Sequence, residues 1–334
     1  MIPCINDMCS IDVPNSYRPL SENAVYLDYP FETDSSAVSI LGSCNGIFLI
    51  GIYNQYVGQW NPFSGNELVY SYLCLWNPST KQYKKLPTKL FEMPKDQRRN
   101  QYCKIVFGFG YDSSTDDYKV VRIFYDYYQS NLPYLESEVH VYSIRRHTCK
   151  RIQDIPSLPI HIKLLVFIEY GIYVSGVIHW LAKPTVATDG RFSSVPIVSF
   201  DVTSEKFREV QMPDFDCTFD LMSFGVLEEC LCVYVRCDDM HVDGFMMKEY
   251  GVKESWTKIF SVGLSSNSYT RFKALWFTND GDLYLQTCPT NDYIILYEPG
   301  KERMMRLKLC DLPTTYPQHF KVEPYIRSLV SLKV

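Results

Sequence analysis

The chain has 334 residues, 46% of them apolar and 15% aromatic, enough to bury a large core and too apolar for a disordered or collagen-like polymer. Its 38 acidic and 33 basic residues give a net charge of -5, which offers no electrostatic grip on nucleic acid. The longest apolar stretches, such as Leu164 to Ile168, are far too short to cross a bilayer.

Tyrosine dominates the aromatic set, with 26 Tyr and 19 Phe against 5 Trp. Such residues suit a pleated, half-buried surface, so with 16 Gly and 19 Pro the composition points to strands and turns. Twelve cysteines are scattered along the whole length instead of framing a short disulfide-stapled domain. The first sixteen residues lack a basic start and an apolar core, and no Asn-X-Ser/Thr acceptor occurs. These features predict reduced thiols and a cytoplasmic or nuclear protein.

Residues 1–23 read as an N-terminal segment and 24–334 as one domain. In chain order, Ala24 to Asp28 predicts a short strand, and Gly42-Ser-Cys-Asn-Gly46 a turn leading into the apolar strand Ile47 to Tyr53. Five hairpins then share one grammar: an apolar strand, a polar turn and a second strand carrying Lys or Arg. They begin at Leu73, Val139, Val198, Phe245 and Ile294.

A more buried strand pair precedes each of the last four. These pairs include Ile105 to Gly110 with Tyr118 to Ile123, Tyr173 to Trp180, Phe224 to Tyr234 around Glu228-Glu229, and Ala274 to Leu285 around Asn279-Asp-Gly281. Turns at Asn77, Ser143, Asp201, Tyr250 and Glu298 are spaced by 66, 58, 49 and 48 residues, bracketing the roughly 50-residue period of kelch-type blades. The pattern predicts an all-β, kelch-like β-propeller of about six blades built from four-stranded antiparallel sheets. The segment Tyr325 to Lys333 is expected to pair with Ala24 to Asp28 and close the ring.

No catalytic or metal constellation emerges. Gly42-Ser-Cys-Asn-Gly46 mimics a nucleophile elbow around Cys44, but a strand follows where a helix is required. Cys230, Cys232, Cys237 and His241 lack zinc spacing, with Cys230 and Cys232 on one face of a buried strand. His179 reads as a core histidine. Asp112 to Asp117 reads as a solvated turn, because it lacks the Gly and Glu of a calcium loop. No cofactor is implied.

Taken in order, several motifs resemble the F-box-associated domain of plant F-box/kelch-repeat proteins. They are Gly42-Ser-Cys-Asn-Gly46, Leu75-Trp-Asn-Pro-Ser-Thr80, Phe107-Gly-Phe-Gly-Tyr-Asp112, Asp117-Tyr-Lys-Val-Val-Arg-Ile123, Val177-Ile-His-Trp180, the Met247 to Lys258 stretch and Tyr325-Ile-Arg-Ser-Leu-Val-Ser-Leu332. The resemblance implies a non-enzymatic substrate receptor of an SCF-type ubiquitin ligase that captures a target protein. An adaptor is a partner only if an upstream F-box exists, because residues 1–23 show no such segment; without it the chain reads as an interaction or decoy protein. Neither a nucleic-acid nor a membrane partner is expected. Gln59-Trp-Asn-Pro-Phe-Ser-Gly65 looks like an extra copy of the Trp-Asn-Pro turn, inserted at the surface.

Specificity in repeat folds sits in loops held by the blade strands. Two loops are therefore the candidate target-binding elements. One carries Tyr125, Tyr127, Tyr128 and Tyr134 within residues 124–136; the other carries Asp238, Asp239 and His241. Tyrosine gives large contact area for little lost rotamer entropy.

Overall fold

Short apolar runs bounded by turn residues, buried along all or nearly all of their length in several middle strands, lay the chain into antiparallel sheets. The computed structural model describes residues 9–11, 24–27, 36–54, 70–87, 90, 103–126, 138–152, 170–182, 185–186, 192–194, 196–215, 219, 221–238, 241–263, 271–288, 294–301, 303–307 and 322–332. A two-stranded sheet of β1 (Cys9–Ile11) and β2 (Ala24–Tyr26) precedes five four-stranded blades.

Blade 1 is β3 (Ser36–Cys44), β4 (Ile47–Asn54), β5 (Tyr70–Asn77) and β6 (Gln82–Lys85). Blade 2 is β7 (Cys103–Asp112), β8 (Asp117–Asp126), β9 (Glu138–Ser143) and β10 (Thr148–Ile152). Blade 3 is β11 (Ile172–Val174), β12 (Val177–Leu181), β15 (Ile197–Asp201) and β16 (Lys206–Val210), with the small hairpin of β13 (Thr185–Val186) and β14 (Phe192–Ser194) inserted between its middle strands. Blade 4 is β17 (Leu221–Leu227), β18 (Cys230–Asp238), β19 (His241–Met247) and β20 (Trp256–Gly263). Blade 5 is β21 (Arg271–Phe277), β22 (Leu283–Cys288), β23 (Ile294–Glu298) and β24 (Arg303–Leu307).

All five hairpins read from the sequence are the third and fourth strands of these blades. The more buried first and second strands are joined by the tight turns expected from the sequence. Glu228 and Glu229, at φ 50° and 61°, turn β17 into β18, and Gly281 at φ 83° turns β21 into β22.

Consecutive blades pack face to face through shared apolar clusters. Leu73 and Leu75 of blade 1 meet Phe107 and Phe109 of blade 2, and Val121 and Val141 of blade 2 meet Trp180 and Phe200 of blade 3. Leu181 and Ile197 of blade 3 meet Phe224 and Val233 of blade 4, and Tyr234 and Phe260 of blade 4 meet Leu283 and Leu285 of blade 5. The first strand of each blade is innermost, where neighbouring blades approach most closely.

That crowding explains the Phe-Gly-Phe-Gly pattern. Phe107 and Phe109 face blade 1, while Gly108 and Gly110 face blade 3. A Cβ at Gly108 would lie 2.5 Å from Trp180 Cζ2 and 2.6 Å from Ile178 Cγ2. Gly108→Ala is therefore expected to cost about 1–3 kcal/mol of stability by overpacking. Gly300→Ala, where a Cβ meets nothing within 4 Å, should stay within about 0.5 kcal/mol of wild type. Urea unfolding of both variants checks this, and equal costs would refute the packing account.

Among the described residues the propeller has five blades and not about six. The expected sixth blade fails because β2 pairs with β1 and residues 322–332 form no strand. Among the described residues no apolar cluster is shared between blades 5 and 1. Leu27 and Tyr325 cover Phe48, Ile50 and Trp76 on blade 1, and Val322 covers Leu275, Tyr284 and Leu296 on blade 5.

Residues 322–332 thus act as a strap. Val322 N donates to Gln286 Oε1 of blade 5 at 3.1 Å. Further along, Asn77 Nδ2 of blade 1 donates to the carbonyls of Ser328 and Val330 at 3.0 and 2.8 Å, and Leu332 N donates to Gln82 Oε1 at 2.9 Å. Side chains of blade 1 take the backbone groups that a partner strand would have used, so the strap crosses the blade's end instead of lengthening it. It passes so close to Gly46, at φ 75°, that a Cβ there would collide with the Ile326 carbonyl. Leu332 then enters the cluster of Leu73, Leu75, Phe107 and Phe109.

Candidate binding face

Sequential antiparallel strands send their connections alternately to the two ends of each blade. Connections from first to second and from third to fourth strand lie on one rim and are mostly short, 45–46, 78–81, 113–116, 144–147, 175–176, 202–205 and 228–229 among them, while 248–255 spans eight residues. Second strands end and third strands begin on the other rim, with residues 55–69, 127–137, 182–196 and 239–240 between them in sequence.

The short-turn rim is satisfied from within. Asp112 is buried and accepts hydrogen bonds from Ser114 N at 3.0 Å, Ser114 Oγ at 2.7 Å, Thr115 Oγ1 at 2.9 Å and Thr203 Oγ1 at 3.0 Å. Lys119 Nζ lies 2.9 Å from both Asp112 Oδ2 and Glu205 Oε1 and donates to the Val202 carbonyl at 2.8 Å. Lys150 adds a second contact to Glu205 at 2.5 Å. Burial raises the Asp112 pKa, but the hydrogen bonds from Lys119, Ser114, Thr115 and Thr203 together outweigh it and hold the carboxyl well below the usual range. Asp117, also buried, accepts from Ser143 Oγ and, at 2.8 Å, from Arg145 N. The Asp112 to Asp117 turn thus joins blades 2 and 3, and its carboxylates are spent on internal partners.

The remaining chemistry-bearing residues are equally enclosed. Cys44 ends β3 and a two-residue turn leads straight into β4, so strand follows strand as the sequence indicates. Its thiol is buried, and burial pushes its pKa far up, away from a thiolate. Cys232 is buried beside Tyr234 and pushed up to about 12 by desolvation, with Cys230 half-buried on the same face. Among the described residues no group of three His, Cys, Asp or Glu is placed to hold a metal ion, and no helix is long and apolar enough to cross a membrane.

His179 is a core residue with partners on both ring nitrogens. Nδ1 sits 3.1 Å from the Ile172 carbonyl and Nε2 2.7 Å from Tyr250 Oη of blade 4. This geometry has Nδ1 donating and Nε2 accepting. Burial pushes the imidazole down to about 4, so it stays neutral and ties blade 3 to blade 4.

The strands that lead into the two candidate loops, β8 and β18, are second strands and end on the same rim, on blades 2 and 4 with blade 3 between them. Tyr125 and Asp238 lie at the ends of β8 and β18, with side chains outside the described set. Tyr127, Tyr128, Tyr134 and Asp239 lie outside the described residues altogether, as does the Gln59 to Gly65 turn. His241 opens β19 and is exposed.

Sequence reasoning missed a tie at the ring's axis. Glu323 accepts from Tyr170 Oη, next to the start of β11, and from Lys273 Nζ of β21 at 2.7 Å. It connects blades 3 and 5, which are not neighbours. A lone Glu before Pro324 carries no signal for such a contact; only the closed topology brings its partners together.

Among the described residues the fold is a five-bladed propeller in which Asp112, Lys119 and Glu205 brace blades 2 and 3 at the short-turn rim. A family model described as "F-box associated beta propeller domain" matches residues 66–332, and the chain belongs to that family. The match runs to Leu332, so the strap is part of the domain.

The chain is 30% identical to the F-box protein CPR1 of Arabidopsis thaliana, over 86% of this chain and 67% of that protein. It is 28% identical to the Arabidopsis thaliana F-box protein At4g22390, over 72% of this chain and 56% of that one. The F-box/kelch-repeat protein At3g23880, also from Arabidopsis thaliana, is 31% identical over 57% of this chain and 47% of its own length. The chain thus spans about half to two thirds of these relatives.

Proposed function

We propose that this chain is the substrate-recognition domain of an SCF-type ubiquitin ligase receptor, which captures a protein for ubiquitination in the cytoplasm or nucleus. Membership in the F-box-associated family carries this reading. The ion pairs of Asp112, Lys119 and Glu205 support it by bracing blades 2 and 3, so that β8, which leads into the tyrosine-bearing segment, is rigidly held. The propeller holds the target and the ligation chemistry belongs to other subunits. An adaptor joins through an F-box.

Tyr125, Tyr127 and Tyr128 are the contact residues of this reading. Interface tyrosines at hot spots are worth at least about 2 kcal/mol each. With one of the three at a hot spot, triple replacement with Ala is expected to weaken target capture by at least roughly 30-fold without changing the melting temperature. The domain, fused to an F-box, would be expressed in plant cells with the proteasome inhibited, and captured proteins quantified for wild type and variant. Proteins lost from the variant should also be those ubiquitinated by the reconstituted ligase; an unchanged captured set would place the site elsewhere.

A further inference from the structure

The short-turn rim carries an aromatic surface where blades 1 and 2 meet. Tyr111 near the end of β7 and Tyr118 near the start of β8 are opposite one another in the sheet. Their half-buried rings lie 4.9 Å apart with planes inclined at 50°. Phe109 stacks against Tyr118 at 5.5 Å, and Tyr173 Oη of blade 3 donates to the Tyr111 carbonyl at 2.9 Å. Both rings are therefore held in place before anything binds, which lowers the ordering cost of binding.

Two hydrogen-bond donors stand open beside the rings. Asn45, exposed in the β3–β4 turn of blade 1, donates from Nδ2 to Tyr118 Oη at 3.4 Å. Tyr118 keeps a hydroxyl hydrogen that meets no acceptor among the described residues, and the Asn45 amide keeps a second N–H. The charges next to them cancel: Tyr111 Oη donates to Asp116 at 2.7 Å, and Asp116 pairs with Arg145 at 3.0 Å.

The geometry points to this surface of Asn45, Tyr111 and Tyr118 as a docking site for a proline-rich segment in the polyproline II conformation, supplied by a partner protein. Such a chain has no internal hydrogen bonds and leaves its carbonyls in solvent, and each proline lacks an N–H. It brings acceptors and compact rings but few donors. The Tyr118 hydroxyl and the Asn45 amide donate to its carbonyls, and the inclined tyrosine rings receive its pyrrolidine rings, the aromatic-groove mode of recognising such segments. Charge agrees with this occupant, because an acidic segment would meet Asp116 and a basic one Arg145, whereas an uncharged one leaves their pair intact. The site goes beyond target capture: Asn45, Tyr111 and Tyr118 border short turns, and the strands leading into the candidate loops end on the other rim.

The probe is a fluorescein-labelled peptide of four Ala-Pro-Pro repeats, followed by polarisation with the intact chain. Peptides of four Ala-Gly-Ser and four Ala-Glu-Glu repeats serve as comparisons, and cellohexaose as a competitor that also offers flat rings. The proline peptide should bind, the comparison peptides should bind at least about 10-fold more weakly, and cellohexaose should not compete. Asn45→Gly suits the left-handed backbone there, at φ 51°, and Tyr118→Phe keeps the packed ring, so both should melt as wild type does. Each should weaken peptide binding by about 3-fold or more, the share of one neutral hydrogen bond. Tyr111→Ala should weaken it by at least about 10-fold; if that variant melts early, Asn45→Gly and Tyr118→Phe decide. Tyr125, Tyr127 and Tyr128 replaced with Ala should bind the peptide as wild type does, which separates this surface from the target site. Absent binding of the proline peptide, equal binding of a comparison peptide, competition by cellohexaose, indifference to both Asn45→Gly and Tyr118→Phe, or loss of binding in the triple variant would overturn the proposal. So would a dimer in sedimentation velocity that Tyr111→Ala dissociates.

Discussion

Replacing Lys119 with Met is expected to destabilise the domain by about 3–5 kcal/mol, the cost of breaking a buried ion pair from one side. Lys119 is nearly enclosed, with side-chain exposure of 9%, and its partners Asp112 and Glu205 are 1% and 14% exposed. Met fills the space of the stem but leaves Asp112 buried without its cation. The charge links two blades, since Lys119 and Asp112 flank one turn of blade 2 while Glu205 and the Val202 carbonyl belong to blade 3. Urea unfolding at pH 7 measures the loss, and a change below about 1 kcal/mol would show that the pair is solvated like a surface salt bridge.

The pH dependence gives a second reading of the same contact. In the wild type the Asp112 carboxyl is held below its ordinary value. Its contribution is therefore fully present above the unfolded carboxylate pKa of about 4 and is lost as pH falls through the lower folded value. In Lys119→Met, burial without the cation raises that pKa, and the carboxyl takes up its proton earlier. The stability gap between the two proteins should accordingly narrow as pH is lowered from 7 towards 3.

Deleting the residues after Pro324 is expected to lower stability by at least the roughly 2–5 kcal/mol of a Leu-to-Ala core truncation. Leu332 leaves the cluster between blades 1 and 2, and Tyr325 leaves the side of Phe48, where the rings sit 5.6 Å apart. The buried side chain of Asn77 also loses two carbonyl acceptors, which costs a further 1–3 kcal/mol by rough reckoning. Leu332→Ala alone should account for about half or more of the total. Thermal melting of both variants decides the matter; an unchanged curve for the deletion would mean that the strap is not part of the closure.

Much of the propeller was legible because its hairpins repeat a local signal. The turn at Asn77, the Glu228-Glu229 pair and Asn279-Asp-Gly281 announce themselves in four or five residues each, and the structure places each at the predicted strand junction. Phe107-Gly-Phe-Gly110 was legible as a strand but not as a packing device, because the reason for Gly108 lies on Trp180, 72 residues on. The closing segment was misread as a strand. Its alternating Tyr325-Ile-Arg-Ser-Leu sequence suits β structure, yet strand pairing depends on what lies alongside, and there Asn77, Ser79 and Gln82 offer side chains instead of an open edge. Lys119 lies in a strand that the sequence marks as buried, but nothing within Tyr118-Lys-Val-Val names its partners, which only the neighbouring blade supplies.

On the candidate site, sequence reasoning identified loops by composition, and topology alone puts the ends of β8 and β18, which lead into them, on one rim. Residue-level contacts to a target are a property of two molecules, and a single chain does not encode them in any pattern of spacing.

The strap also sets the order in which the domain can be completed. Asn77 waits for Ser328 across 251 residues and for Val330 across 253, so a ribosome finishes all five blades before it makes the residues that join the fifth to the first. At common synthesis rates of roughly 5–20 residues per second, blade 1 spends ten seconds or more without Tyr325 beside Phe48 and without Leu332 over its Leu73–Leu75 layer. The nascent domain is an open arc with an apolar flank at each end. Its main hazard is therefore pairing of one arc with another during synthesis, and its demand for chaperones should fall abruptly once Leu332 seats.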